Sequence, residues 1–209
     1  MKLGIVGDLS GNAPERLARV LDAALIACDY VVQVGDYVPA TEQVRSRLLT
    51  SGHKLKIVPG NHDTDFDTLG VPRNWRFTTP DRLATFIGLD NSTMRLNDDA
   101  KALFAKRGNS RYGFVFAHMA PWPIVLPDGS ENRHTMVESL DPNPDADWLV
   151  DRLKARADAM CVGHYHGASL QFAPWGPLIV EGRGGAAPDL AYTLVTITKS
   201  GWVVHSVPA

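Results

Sequence analysis

Lys54-Leu55-Lys56-Ile57-Val58, followed by Pro59-Gly60-Asn61-His62-Asp63, decides how this chain is read. The first five residues form a short apolar-rich run that reads as a buried strand, and Pro59-Gly60 breaks it. An amide, an imidazole and a carboxylate therefore leave the carboxyl end of a strand on a tight loop. In open α/β sheets that edge is where ligands bind. The arrangement recurs along the chain. Gly7-Asp8 ends Leu3-Gly4-Ile5-Val6, and Gly35-Asp36 ends Tyr30-Val31-Val32-Gln33-Val34. His118 ends Gly113-Phe114-Val115-Phe116-Ala117, and Gly163-His164-Tyr165-His166 ends Ala159-Met160-Cys161-Val162. Asp, Asp, Asn-His-Asp, His and His-x-His at five strand ends make an oxygen- and nitrogen-rich donor set suited to a metal centre.

The 209 residues suffice for one sizeable domain, and a single unit over 1–209 is expected. A formal charge of −2 gives no whole-molecule field favouring nucleic acid or anionic lipid. Cys28 and Cys161 sit at apolar helix or strand ends, and a reducing compartment without a disulfide is the expectation. The first strand begins almost at Met1, leaving no room for a leader, and no apolar run approaches the ~20 residues of a membrane span. A cytoplasmic protein with no membrane partner follows as the expectation.

After Gly7-Asp8, Leu17, Val20, Leu21, Ala24 and Leu25 recur at helical spacing, with Asn12 as N-cap and Pro14 in the first turn. Thr41 is placed as the cap of a second helix, which Ser51-Gly52 stops. This β-α-β-α-β opening predicts a sheet with a parallel core and covering helices. Residues 64–82 have no clear period beyond an edge strand near Trp75. Leu83–Leu89 and Tyr112–Ala117 read as strands, and Asp99–Arg107 as a short helix. Pro121–Asp145, with five prolines, reads as a long loop at the rim of the site. Asp147–Arg156 is amphipathic, and residues 168–207 read as antiparallel strands with turns at Gly182–Gly185 and Lys199-Ser200-Gly201.

The motifs Gly7-Asp8-x-x-Gly11-Asn12, Gly35-Asp36, Gly60-Asn61-His62-Asp63, His118 and Gly163-His164-x-His166 resemble, in order, those of the calcineurin-like metallophosphoesterases. A lone Gly-Asp carries little weight; the Gly-Asn-His-Asp and Gly-His-x-His pair, each after a strand, carries most of it. The resemblance implies an α/β fold, two mixed β-sheets packed as a sandwich flanked by helices. It implies two divalent metal ions (Mn²⁺, Fe or Zn²⁺) that clamp a phosphoryl group and share an activated water. Carried over by position, Asp36 would bridge, Asn61, His118 and His164 would hold one ion, and Asp8 and His166 the other. His62 would protonate the leaving oxygen, with Asp63 orienting its ring. The usual first motif is Asp-x-His, and here it is Asp8-Leu9-Ser10. Purple acid phosphatases also lack that histidine but supply a tyrosine three residues after the second aspartate, where this chain has Pro39. Weak binding of the ion beside Ser10 is therefore expected.

Taken singly, Asp8 or Asp36 reads as a turn cap and His118 as a hydrogen-bonded core histidine. His53, His134 and His205 read as surface or loop residues, Trp122 and Trp175 as rim or buried packing, and Arg45/Arg47 and Arg73/Arg76 as solvated faces. Gly182-Arg183-Gly184-Gly185 lacks the strand-to-helix context of a phosphate loop. Two functions follow from the resemblance. One is a metal-dependent phosphoesterase acting on a small phosphodiester or phosphomonoester; the other is a degenerate, non-catalytic interaction scaffold on the same fold. His62 and Asp63, which a scaffold does not need, favour the enzyme.

Overall fold

The computed structural model describes residues 1–8, 14–105, 109–125, 129–132, 135–137, 143–181 and 190–209. The chain opens with β1 (Lys2–Val6), α1 (Pro14–Ala27), β2 (Tyr30–Gln33), α2 (Thr41–Ser51) and β3 (Leu55–Ile57). It continues through β4 (Trp75–Thr78), β5 (Ala84–Gly88), α3 (Asp98–Ala105) and β6 (Tyr112–Ala117). Then come β7 (Ile124–Val125), β8 (Glu131–Asn132), α4 (Pro144–Arg156) and β9 (Ala159–Val162). Four strands end it: β10 (Ala168–Ala173), β11 (Gly176–Glu181), β12 (Ala191–Ile197) and β13 (Trp202–Pro208).

These strands form two large mixed sheets, ordered β13-β12-β1-β2-β3 and β10-β11-β9-β6-β5-β4. In the first, β1, β2 and β3 are parallel and β12 and β13 antiparallel. In the second, β5, β6, β9 and β11 are parallel and the edges β4 and β10 antiparallel. The fold is the α/β sandwich of two mixed sheets flanked by helices that the motifs imply. Central strands are covered on both faces, so they read as nearly continuous apolar runs. Leu3, Ile5, Val32 and Val34 from one sheet meet Phe86, Phe114, Phe116 and Ile179 from the other to fill the inner layer. Leu17, Val20, Leu21 and Ala24, one stripe of α1, cover the outer face of the first sheet, and Leu149 and Leu153 of α4 cover the second.

Several local expectations change. Thr41 opens α2 without capping it: the cap position is Ala40, and the Thr41 hydroxyl donates to Asp65 Oδ2 instead. α4 starts at Pro144, before the apolar periodicity begins at Trp148, because Asn143 caps it and accepts the Asp145 and Ala146 N–H groups. The rim loop contains a two-residue-per-strand hairpin, β7 and β8. The closing strands are not one antiparallel run. β11 pairs in parallel with β9 in the second sheet, whereas β12 and β13 join the first. Cys28 and Cys161 are free and buried. Asn12, His134 and the Gly182–Gly185 turn lie outside the described residues.

Candidate metal centre

Every candidate ligand follows the carboxyl end of a parallel strand. β1 leads to Asp8, β2 to Asp36, β3 to Asn61-His62-Asp63, β6 to His118, and β9 to His164 and His166. Both sheets thus deliver their strand ends to one edge of the sandwich. Close backbone approach makes this possible. Gly35 has φ +89°, and a Cβ there would lie 2.5 Å from His118 Nδ1. A Cβ on Gly60 would fall 2.1 Å from Asp36 Oδ1. Only glycine tolerates either position.

His118 is fully buried at the centre of the cluster. Its Nδ1 lies 2.9 Å from the Val34 carbonyl, an acceptor, so Nδ1 carries the proton. In the neutral ring, Nε2 then presents a lone pair. That atom is 2.9 Å from Asn61 Oδ1, 3.2 Å from His164 Nδ1 and 3.3 Å from Asp36 Oδ2. At most one proton can sit among these groups through Nε2, and it cannot satisfy all of them. A cation can, and Asp36, His118 and His164 bring one donor atom each within 4.8 Å of one another. The donor set therefore fits a divalent transition ion. On the other side, His166 Nε2 lies 3.5 Å from Asp8 Oδ2, with Asp8 1% exposed and the imidazole 53% exposed. Ser10 lies outside the described residues.

Electrostatics agree with this geometry. Burial, then the charge of Asp36, raise the Asp8 pKa to about 6, against lowering by His118 and His166. Burial pushes Asp36 upward as well, but the His118 ring and the His62 N–H prevail and hold it below the usual carboxylate range. Burial favours neutral His118, yet the Asp36 and Asp8 carboxylates outweigh it and raise its pKa. A buried cluster holding protons this firmly is one that a cation can occupy in their place.

The backbone is also bent to the task. Six described non-glycine residues have positive φ: Asp8, Asp36, Arg82, Met94, His164 and His166. Four of these six are candidate ligands. Such conformations cost on the order of 1–3 kcal/mol each and cluster where function demands them.

Asp63 differs from the expectation. Its Oδ2 accepts the N–H groups of Asp36 and Gly60, both at 2.8 Å. Its Oδ1 accepts Tyr37 N–H at 2.8 Å and Val38 N–H at 3.2 Å. The carboxylate ties the β3 loop to the β2 loop, and among the described residues it has no hydrogen bond or ion pair to the His62 ring. The His62 side chain is exposed, and its backbone N–H donates to Asp36 Oδ1 at 3.0 Å. Sequence reasoning missed Tyr165, whose hydroxyl accepts Ala120 N–H at 3.2 Å and joins the His118 and His164 loops. It also missed Glu181, fully buried at the end of β11, where its Oε2 accepts the Thr193 hydroxyl at 2.6 Å. No periodicity announces either contact.

The fold and donor set define a two-sheet α/β protein with a candidate metal-binding edge. A sequence model described as calcineurin-like phosphoesterase matches residues 1–168. The chain belongs to the calcineurin-like phosphoesterase family. No curated protein matches it. Among solved structures, GAP50, described as the anchor in the inner membrane complex of Plasmodium, superposes with a TM-score of 0.68 at 14% identity, covering 100% of this chain and 84% of that one. A novel archaeal phosphodiesterase gives 0.55 at 12% identity, with 100% of both chains covered. A putative 5'-nucleotidase from Staphylococcus aureus gives 0.57 at 12%, covering 99% of this chain and 54% of that one. At these identities the likeness shows the fold.

Proposed function

We propose that this chain is a metal-dependent phosphoesterase acting on a small phosphodiester or phosphomonoester. The observation that carries the reading is the convergence of Asp36, Asn61 and His164 on the buried Nε2 of His118. Asp36, Asn61, His118 and His164 would hold one divalent cation, and Asp8 and His166 with Asp36 the other. Bound cations supply neutralisation of phosphoryl charge and a water acidic enough to attack phosphorus. The chain's own residues supply the rest. Val34 fixes the His118 tautomer, so that Nε2 is available as a donor atom. Asp63 holds the β2 and β3 loops in register. His62, exposed on the β3 loop, hands a proton to the leaving oxygen as the ester bond breaks.

The rival reading is a non-catalytic scaffold, and the likeness to the Plasmodium anchor protein is the observation in its favour. Turnover of nitrophenyl phosphomonoester and phosphodiester with added Mn²⁺, beside metal analysis of the same sample, separates the two. The enzyme reading expects cation-dependent turnover that is lost on chelation and in Asp36→Asn. Full metal loading with no turnover of either ester would leave the scaffold.

A further inference from the structure

At the amino ends of β5 and β6, opposite the edge with the candidate metal ligands, the outer face of the second sheet meets the ends of α3 and α4. A cavity of about 220 Å³ opens there. Arg76, Arg111 and Arg156 line it, together with Thr85, Ser110 and Asp158. From Tyr112 at this cavity to His118 at the metal centre is roughly 20 Å along β6.

Two of these guanidinium groups, those of Arg111 and Arg156, are treated differently from other well-placed arginines. Arg45 pairs with Glu42, Arg47 with Asp22, and Arg73 with both Asp67 and Asp90. Among the described residues neither Arg111 nor Arg156 forms an ion pair. The lining carboxylate, Asp158, is engaged through Oδ2 with the Gly113 N–H at 2.7 Å and, among the described residues, forms no ion pair either. Each of the three donates to a neutral oxygen. Arg76 Nη1 donates to the Leu103 carbonyl at 3.3 Å, Arg156 Nη1 to the Ala105 carbonyl, and Arg111 Nε to the Tyr112 hydroxyl at 3.1 Å. Burial, then the charge of Arg156, lower the Arg76 pKa, so the two like charges act on one another.

Closing the end of α3 accounts for one donor of Arg76 and one of Arg156. It does not account for Arg111, which lies over the Tyr112 ring at 5.6 Å. Each guanidinium has five N–H donors in a planar fork matched to oxyanions. We propose that this cavity is a second ligand site, which takes a small, multiply charged oxyanion of the phosphate class. It is separate from the metal centre and independent of the proposed activity.

The test is equilibrium binding of inorganic phosphate to the full chain in chelator, comparing wild type with Arg111→Gln, Arg156→Gln and Asp36→Asn. Wild type and Asp36→Asn are expected to bind phosphate alike, with affinity that falls as salt rises. Each arginine variant should weaken it by about tenfold or more, the worth of a hydrogen bond to a charged group. Among the described residues the hydrogen bond that Arg111→Gln removes is to Tyr112, so it remains informative even if Arg156→Gln fails to fold. Absence of saturable binding by wild type would overturn the proposal. So would wild-type affinity in Arg111→Gln, or loss of the binding in Asp36→Asn, which would move it to the metal centre.

Discussion

The hydrogen bond between His118 Nδ1 and the Val34 carbonyl leaves Nε2 facing oxygen and nitrogen lone pairs, a contact that a divalent cation relieves. His62 stands in contrast, exposed and held through its backbone, the N–H donating to Asp36 Oδ1 and the carbonyl accepting from Thr64 N–H. That difference sets a prediction. His62→Ala should leave metal content nearly unchanged while the rate falls by about 10²–10⁴, the worth of positioned proton transfer. The fall should be smaller for a nitrophenolate leaving group, which needs little protonation. Metal loss measured together with rate loss would place His62 among the ligands. The candidate donor residues were legible because each stands at the end of an apolar strand, most of them beside a glycine, signals only a few residues long. Asp63 was legible as a member of the candidate site but not in its contacts. Its four partners lie on two loops, and three of them are 25–27 residues earlier in the chain.

At the level of elements, the strands and helices that carry the site declared themselves through apolar runs and periodicity. What stayed hidden depended on sheet membership or on single side chains. Nothing in residues 168–207 says that β11 and β12 belong to different sheets, because strand pattern does not encode the partner. β7 and β8, two residues each, are too short to show alternation. α4 begins earlier than its apolar stripe because of Asn143, which does more than cap. Besides accepting two N–H groups of α4, its side chain accepts from Arg95 Nη1 at 3.0 Å and donates to the Met94 and Met136 carbonyls. Asn143→Ala should therefore cost about 0.5–2 kcal/mol for the cap. Leaving the buried Met136 carbonyl unpaired should add about 1–3 kcal/mol. Asn143→Asp keeps the acceptor and loses both donors, so it should fall between wild type and alanine. Urea titrations of the three proteins measure this, and a loss within about 0.5 kcal/mol for alanine would show that the surroundings replace every one of these bonds.

For the whole molecule, the candidate ligands stand where the two sheets meet, so occupancy of the proposed centre would be linked to the stability of the sandwich. Without a cation, the buried carboxylates decide the pH dependence. Asp8 holds its proton up to about 6 in the folded state, against 3.8 as its ordinary value. Asp63 is raised as well, chiefly by burial. His118 is raised above 6.5 by the neighbouring carboxylates, against burial. For such raised groups the folded state binds more protons than the unfolded one, so stability is fullest below the unfolded pKa and is lost as pH climbs through the folded one. Asp36 is lowered, and its contribution disappears only as pH falls below the usual carboxylate range. Between pH 4 and 7 the raised groups therefore prevail. Asp8 alone, raised from 3.8 to about 6, should cost the metal-free protein roughly 3 kcal/mol across that window. In the proposed function a divalent cation would replace those protons and bind more tightly as they leave. Its stabilisation, about 2.7 kcal/mol at a hundredfold excess over Kd, should grow with pH. The expected outcome is that chelated protein melts at a higher temperature at pH 5 than at pH 7.5, while the increase produced by Mn²⁺ is larger at pH 7.5. Thermal melts at both pH values, with and without Mn²⁺, check this. Parallel pH profiles for the chelated and Mn²⁺-supplemented protein would show that the cation does not displace these protons, and that Asp8, Asp36 and His118 are not where it binds.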